Sequence, residues 1–242
     1  MEAATAISNL RALANPTNVE GMARYGISRV GTLGVPVAAL RRLARETGRS
    51  HKLAAELWRS GIHEARILAG MVEQVERVTP GQMDRWVGAV DSWDVCDQLC
   101  QNLFRHTPYA FEKAAEWARA EPEFVRRAGF ALMAGLSHKT SAAPDDRCEA
   151  FLPLVVEAAT DERNMVRKAV NWALRNIGKR NARLRAKAIG AAERIRTIDS
   201  RSARWIASDA LRELRGVAAH DGSPVRHRRG RPADVSREPA RE

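Results

Sequence analysis

Cysteine is scarce in this 242-residue chain. Its three thiols, Cys96, Cys100 and Cys148, are too few for a disulfide framework and point to the reducing cytosol. No apolar run approaches the roughly 20 residues that would span a bilayer. The start, Met1-Glu2-Ala3-Ala4, lacks the basic segment and apolar stretch of a secretory signal. Only two tyrosines are present and Val-Thr alternation is rare, which argues against a β-rich fold. GxGxxG, a P-loop lysine motif and GxSxG are all missing, so no nucleotide loop or serine-hydrolase elbow is indicated. His63-Glu64 lacks the second histidine of a zincin. Cys96 and Cys100 lie four apart with His106 further on, which is not the paired spacing of a zinc site; they read as small buried hydrophobes. No metal or other cofactor is expected.

The chain is 45% hydrophobic, so it can bury a core, and Ala, Leu, Arg and Glu favour helix. Its formal charge of +11 is concentrated toward one end. Residues 1–162 carry 19 basic and 21 acidic side chains, whereas residues 163–242 carry 21 and 8. Such polarity suits an anionic partner, nucleic acid first of all; a solvated basic tail is the plainer alternative.

Helix punctuation recurs at short intervals. Pro36 opens a helix that Gly48 ends, and Ser50 caps the next. Gly61 separates it from a helix over residues 63–72. Thr79-Pro80 and Thr107-Pro108 each read as an N-cap followed by proline in the first turn, and Pro122 and Pro153 fit the first turns of two more. Further helices are predicted from Asp161 or Asn164 to Gly178, from Asn181 to Ile195 and from Ser200 to Leu214. The expectation is an all-α chain of about a dozen helices in pairs of about 35–45 residues, the length of a HEAT-type repeat. That predicts a HEAT-like α-solenoid over residues 1–216 with a concave basic surface; a compact helical bundle is the alternative. From about Val217 the composition turns polar. Residues 217–242 are expected to be a disordered basic tail, in which Arg229-Gly230-Arg231-Pro232 is similar to the core of a minor-groove AT-hook.

Two helices carry candidate chemistry. In the one starting near Asn164, Val166, Val170, Ala173 and Ile177 form the apolar stripe. Trp172 falls outside it, with Lys168, Arg175 and Lys179 as angular neighbours. A ring among three cations suits a phosphate-binding surface, or an indole packed on basic stems. Trp205, in contrast, reads as a core tryptophan. In the helix that begins near Trp93, Asp97 lies four residues on and shares its face. It could stabilise positive charge, or serve as an ordinary acid near a helix start.

Taken in order, Tyr25-Gly26-Ile27, Leu33-Gly34-Val35-Pro36, Leu57-Trp58 with His63-Glu64, residues 91–97, Phe124-Val125-Arg126-Arg127-Ala128 and residues 166–175 resemble the AlkD-like alkylpurine DNA glycosylases of the DNA alkylation repair family. The resemblance spans about residues 20–215. It implies HEAT repeats and release of cationic N3- and N7-alkylated purines from duplex DNA, in base excision repair, without a base-flipping pocket. It also implies a catalytic cleft of Trp93, Asp97, Arg127 and Trp172, with Arg126 as the one-residue alternative to Arg127. Asp97 would stabilise an oxocarbenium-like sugar, the two tryptophans would hold the nucleotide, and Arg127 would grip a phosphate. Lys168, Arg175, Lys179, Arg229 and Arg231 are the candidate DNA contacts. The expected protein is a cytoplasmic, nucleoid-associated monomer with no membrane partner. The alternatives are a noncatalytic solenoid that senses damaged or branched DNA, and a protein–protein scaffold.

Overall fold

The computed structural model describes the backbone of residues 1–221 and the side chains of residues 1–216. Among these residues there are fourteen α-helices: α1 Ala3–Ala12, α2 Pro16–Ala23, α3 Val37–Thr47, α4 His51–Arg59, α5 His63–Val72, α6 Pro80–Gly88, α7 Trp93–Asn102, α8 Ala110–Trp117, α9 Glu123–Leu136, α10 Asp145–Glu149, α11 Leu152–Glu157, α12 Asn164–Lys179, α13 Ala182–Arg196 and α14 Arg201–Asp221. No strand occurs among the described residues, and none of their helices is long and apolar enough to cross a membrane.

The caps read from sequence are formed at Ser50 and Thr79, whose side chains accept the amides of Leu53 and Gln82, and Asn181, read only as a helix start, caps α13 through the amide of Leu184. The Thr107-Pro108 expectation needs correcting. Helix α8 begins at Ala110, after Tyr109, and the Thr107 hydroxyl donates backward to the Phe104 carbonyl at 2.8 Å. It closes the preceding turn instead of opening a helix. At the far end, α14 continues to Asp221, beyond the boundary near Val217 that composition suggests. Arg229 and Arg231 lie outside the described residues.

Packing follows a two-layer ladder. Helices α3, α5, α7, α9, α12 and α14 touch in succession, and α4, α8 and α13 pack behind α5, α9 and α12. This alternation is the α-solenoid that the helix-pair spacing predicts. Helix α9 is its centre. Every residue from Arg127 to Leu136 is buried, so α9 meets neighbours on all sides, chiefly α12, α8 and α7. Close approach to α8 requires Gly129, because a Cβ there would lie 2.4 Å from the Ala118 amide nitrogen. On α12 the stripe Val166, Val170, Ala173 and Ile177 is fully buried, each larger side chain contributing about 1.5–3 kcal/mol. In the second layer Trp58 and Trp86 stack at 4.5 Å, joining α4 to α6.

Candidate functional site

The ladder brings the first turns of α5, α7 and α12, and the second turn of α9, to one edge of the molecule. A cleft of about 560 Å³ opens there, lined by Arg24, Tyr25, Trp93, Arg127, Met165 and Lys168, with Gly26 and Asn164. Helices α5, α7, α9 and α12 begin at Ile62, Ser92, Pro122 and Arg163 with no side-chain cap. By contrast α4, α6 and α13 are capped by Ser50, Thr79 and Asn181. The edge therefore gathers helix N-termini whose first amides are largely left to solvent or a ligand. Val95 and His63 are exceptions, since their amides donate to Asp94 at 3.0 Å and to the Gly31 carbonyl at 2.8 Å.

Trp93 is anchored by its own indole, whose Nε1–H donates to the Tyr25 carbonyl at 3.1 Å. The Arg127 guanidinium lies 6.0 Å from the Trp93 ring centroid. It donates from Nε and Nη2 to the two Asp97 oxygens at 3.0 and 2.7 Å, and from Nη1 to the Met165 carbonyl at 2.6 Å. One side chain thus ties α7, α9 and α12 together. The Arg127 and Asp97 side chains are only 7% and 17% exposed, so this bidentate pair sits largely out of water. Burial raises the Asp97 carboxyl above its ordinary value, against the downward pull of Arg127. Burial also works against the charged Arg127, but the Asp97 carboxylate outweighs it and holds the guanidinium protonated.

Arg126 faces elsewhere. It donates to the Ala118 carbonyl at 3.0 Å and to Asp161 at 3.1 Å, so Arg127 alone of the pair reaches the cleft. Trp172 is half-buried against the core and is not among the cleft-lining residues. The cations expected around it are also divided. Arg175 pairs with Asp209 at 3.2 Å and Glu213 at 2.8 Å, and Lys179 with Glu213 at 2.8 Å. Helix α14 neutralises both, which the wheel of a single helix does not show. Lys168 lines the cleft and is exposed, with no carboxylate partner among the described residues. Trp205, read as core, is 38% exposed and carries Arg167 at 5.2 Å from its ring.

Sequence reasoning missed Arg24 and the role of Glu64. Arg24, exposed on the cleft rim, is the second cation there without a carboxylate partner among the described residues. Glu64 is buried, and its carboxylate accepts the amides of Leu33, Gly34 and Val35 at 2.9, 2.6 and 3.2 Å. It clamps the loop before α3 thirty residues back in sequence. Gly34 in that loop has φ 75°, and a Cβ there would lie 2.2 Å from the Asn15 carbonyl oxygen, so only glycine fits. Beside Glu64, His63 Nε2 bonds Asp94 at 2.7 Å. Cys96 and Cys100 are buried between α7 and α9, their thiols directed at the carbonyls of Phe124 and Ala128, both at 3.6 Å.

A two-layer solenoid with cationic side chains and uncapped helix starts along one edge defines a class of HEAT-like repeat protein. Within that class, a family model described as DNA alkylation repair enzyme matches residues 6–214, and the chain belongs to that family. Among solved structures, it is similar to one from work on "a new family of proteins related to the HEAT-like repeat DNA glycosylases with affinity for branched DNA structures". The TM-score is 0.74 at 18% identity, covering 88% of this chain and 96% of that one. It is also similar to a "predicted DNA alkylation repair enzyme from Enterococcus faecalis", with a TM-score of 0.57 at 21% identity, covering 82% and 96%. No curated protein matches the chain. At these identities the structural likeness carries the fold alone.

Proposed function

We propose that the protein is a DNA glycosylase that releases cationic N3- and N7-alkylated purines from duplex DNA. The observation that carries this reading is the buried Asp97–Arg127 pair beneath Trp93, at the edge of a cleft bearing Arg24 and Lys168. Duplex DNA would lie along the row of helix N-termini, its phosphates facing free backbone amides, positive dipole ends and those cations.

A purine alkylated at N3 or N7 is already cationic. When the glycosidic bond breaks, the base takes the electron pair and leaves neutral, so a general acid is dispensable. The sugar becomes oxocarbenium-like, and water adds at its C1′ and gives its proton to solvent. A fixed carboxylate facing that sugar is worth about 3–4 kcal/mol. Asp97 fills this role if Arg127 moves its fork to a phosphate, which offers the same bidentate geometry. The carboxylate would then be left facing the cleft, next to the flat ring of Trp93. Trp172 would act further along α12, steadying the flanking backbone.

A second reading has a specific observation behind it. Both Asp97 oxygens are taken by Arg127, and Asp97 does not itself line the cleft. A carboxylate locked in this way would make the protein a noncatalytic binder of damaged or branched DNA. The term "affinity for branched DNA structures" attached to one structural neighbour is in keeping with that option. Incubating the protein with duplex containing 7-methylguanine, and measuring free base by chromatography, separates the two. Release well above the spontaneous rate supports the glycosylase. Tight binding without release supports the binder.

A further inference from the structure

Helix α3 carries three arginines, Arg41, Arg42 and Arg45, and one acid, Glu46. All four are exposed. At about 100° per residue the arginines share an arc of about 100°, whose centre lies opposite that of Leu40 and Leu43, which are buried. None of the three guanidinium groups has an ion-pair or hydrogen-bond partner among the described residues. In the basic region, by contrast, Arg175, Arg180 and Arg183 are tied to carboxylates. Like charges three and four residues apart on a helix repel. Arg41 and Arg42 both stand so to Arg45, and nothing within the described residues offsets the repulsion.

The position of α3 links this face to the cleft. A neighbouring pocket shares Tyr25 and Trp93 with the cleft and is also lined by Pro36 and Val37, the cap and first residue of α3. Helix α3 packs on α5, and α5 on α7, which carries Trp93. Two such steps of about 8–10 Å each separate α3 from α7, a length of about five or six base pairs at about 3.4 Å per pair. Arg24, on the cleft rim, comes from the segment between α2 and α3.

We infer that Arg41, Arg42 and Arg45 bind the phosphates of the same duplex that the cleft holds, about five base pairs to one side of Trp93. The inference rests on the reading that the cleft binds DNA, and it extends the contact surface to a helix of the nearly neutral region. Guanidinium forks match phosphate oxygens, and a bound duplex would supply the anions that α3 lacks. An anionic membrane surface fits less well, because a helix lying on lipid needs apolar side chains beside its cations. The exposed large apolar residues among those described are Met1, Leu13, Tyr25, Val30 and Trp205, none of them on α3.

The test replaces the three arginines together, by alanine (Arg41→Ala, Arg42→Ala, Arg45→Ala) in one variant and by lysine in the other. Both residues favour helix, and the side chains removed have no partner to lose, so the melting curves should match that of the wild type. Affinity for an undamaged duplex of about 20 base pairs, long enough to cover cleft and α3 together, is measured by fluorescence anisotropy over a range of salt concentrations. Lys168→Ala is measured alongside as a cleft variant, and binding to phosphatidylserine vesicles is measured separately.

The alanine variant should reduce the slope of log affinity against log salt by about two to three units, at about 0.9 per phosphate contact. The lysine variant, which keeps the charge, should retain nearly the whole slope. An alanine variant with the wild-type slope, beside a Lys168→Ala variant whose slope falls, would overturn the role of α3 and leave the cleft standing. An equal loss in the lysine variant would overturn it too, because charge sets the slope. Vesicle binding that disappears in the alanine variant while the DNA slope is unchanged would assign the face to lipid instead. Failure of the wild type to bind duplex at low salt would remove the reading of the cleft on which the inference rests.

Discussion

Residues 1–162 and residues 163–216 divide the labour of the molecule unequally. The first region is nearly neutral, with 19 basic and 21 acidic side chains, and supplies Arg24, Tyr25, Trp93 and Arg127 to the cleft, with Asp97 paired to Arg127 behind it. The second carries 15 basic side chains against 4 acidic but sends only Asn164, Met165 and Lys168 to the cleft. Much of its excess charge clips the last three helices to α10 and to one another. Arg180 binds Asp145 at 2.6 Å, Arg183 binds Glu149 at 2.5 Å and Arg175 binds Glu213 at 2.8 Å. Net charge therefore marks the region that carries the cations, whereas the candidate chemistry sits where the two regions meet, at Arg127 and Met165.

If that seam is central, Arg127→Leu gives the largest stability loss. It strands the Asp97 carboxylate out of water and cuts the tie to the Met165 carbonyl. The expected cost is about 3 kcal/mol, read as a shifted urea midpoint. A loss under about 1 kcal/mol would mean that the pair is a surface ion pair and the seam is ordinary.

Within the neutral region, Glu64→Gln should cost about 2 kcal/mol, because the new amide group faces backbone N–H donors that the carboxylate now accepts. Urea melts would measure it. An unchanged midpoint would show that the loop before α3 holds itself.

A pH series sharpens the same region. Burial alone would lower the His63 pKa, but the hydrogen bond and charge of Asp94, with Glu64 and Asp91 behind it, raise it above 6.5. A raised folded value stabilises the protonated state. That contribution is complete below the unfolded value near 6.5 and is lost as pH rises through the folded value. Wild-type stability should therefore fall as pH rises above about 6.5 more steeply than that of His63→Gln. Parallel curves would remove His63 from the account.

The smallest effect tests the basic region. Lys168→Ala should reduce the slope of log affinity against log salt on undamaged duplex by about 0.9. Lys179→Ala, already paired with Glu213, should leave it nearly unchanged. If both variants gave the same change, the division between cleft-facing and clipped cations would fail.

Helix borders were readable because their signals are local: Ser50, Thr79 and Asn181 cap within three residues, and Gly48 and Gly61 stop helices where they stand. The Trp93–Asp97 pairing was also local, being one helix turn. Arg127 came only from the family resemblance, since nothing in Arg126-Arg127 tells which of the two crosses thirty residues to Asp97. Glu64 was invisible for the same reason. An acid in a first turn reads as a dipole partner, and its amide ligands lie in a distant loop. The wheel rightly kept Trp172 out of the buried stripe, but it could not foresee that Asp209 and Glu213 on α14 neutralise the neighbouring cations. Trp205 was misread because tryptophan suggests a core position, whereas α14 shows that ring to solvent under Arg167.

The most direct test of the account is the single-turnover release of 7-methylguanine by Asp97→Asn beside the wild type, at saturating enzyme. Asparagine keeps the shape and a hydrogen-bond acceptor for Arg127 but removes the charge opposite the developing oxocarbenium. The account predicts a rate about 10²–10³-fold lower, with duplex affinity intact and the fold confirmed by thermal melting. A variant that releases base at nearly the wild-type rate would contradict the assignment of Asp97.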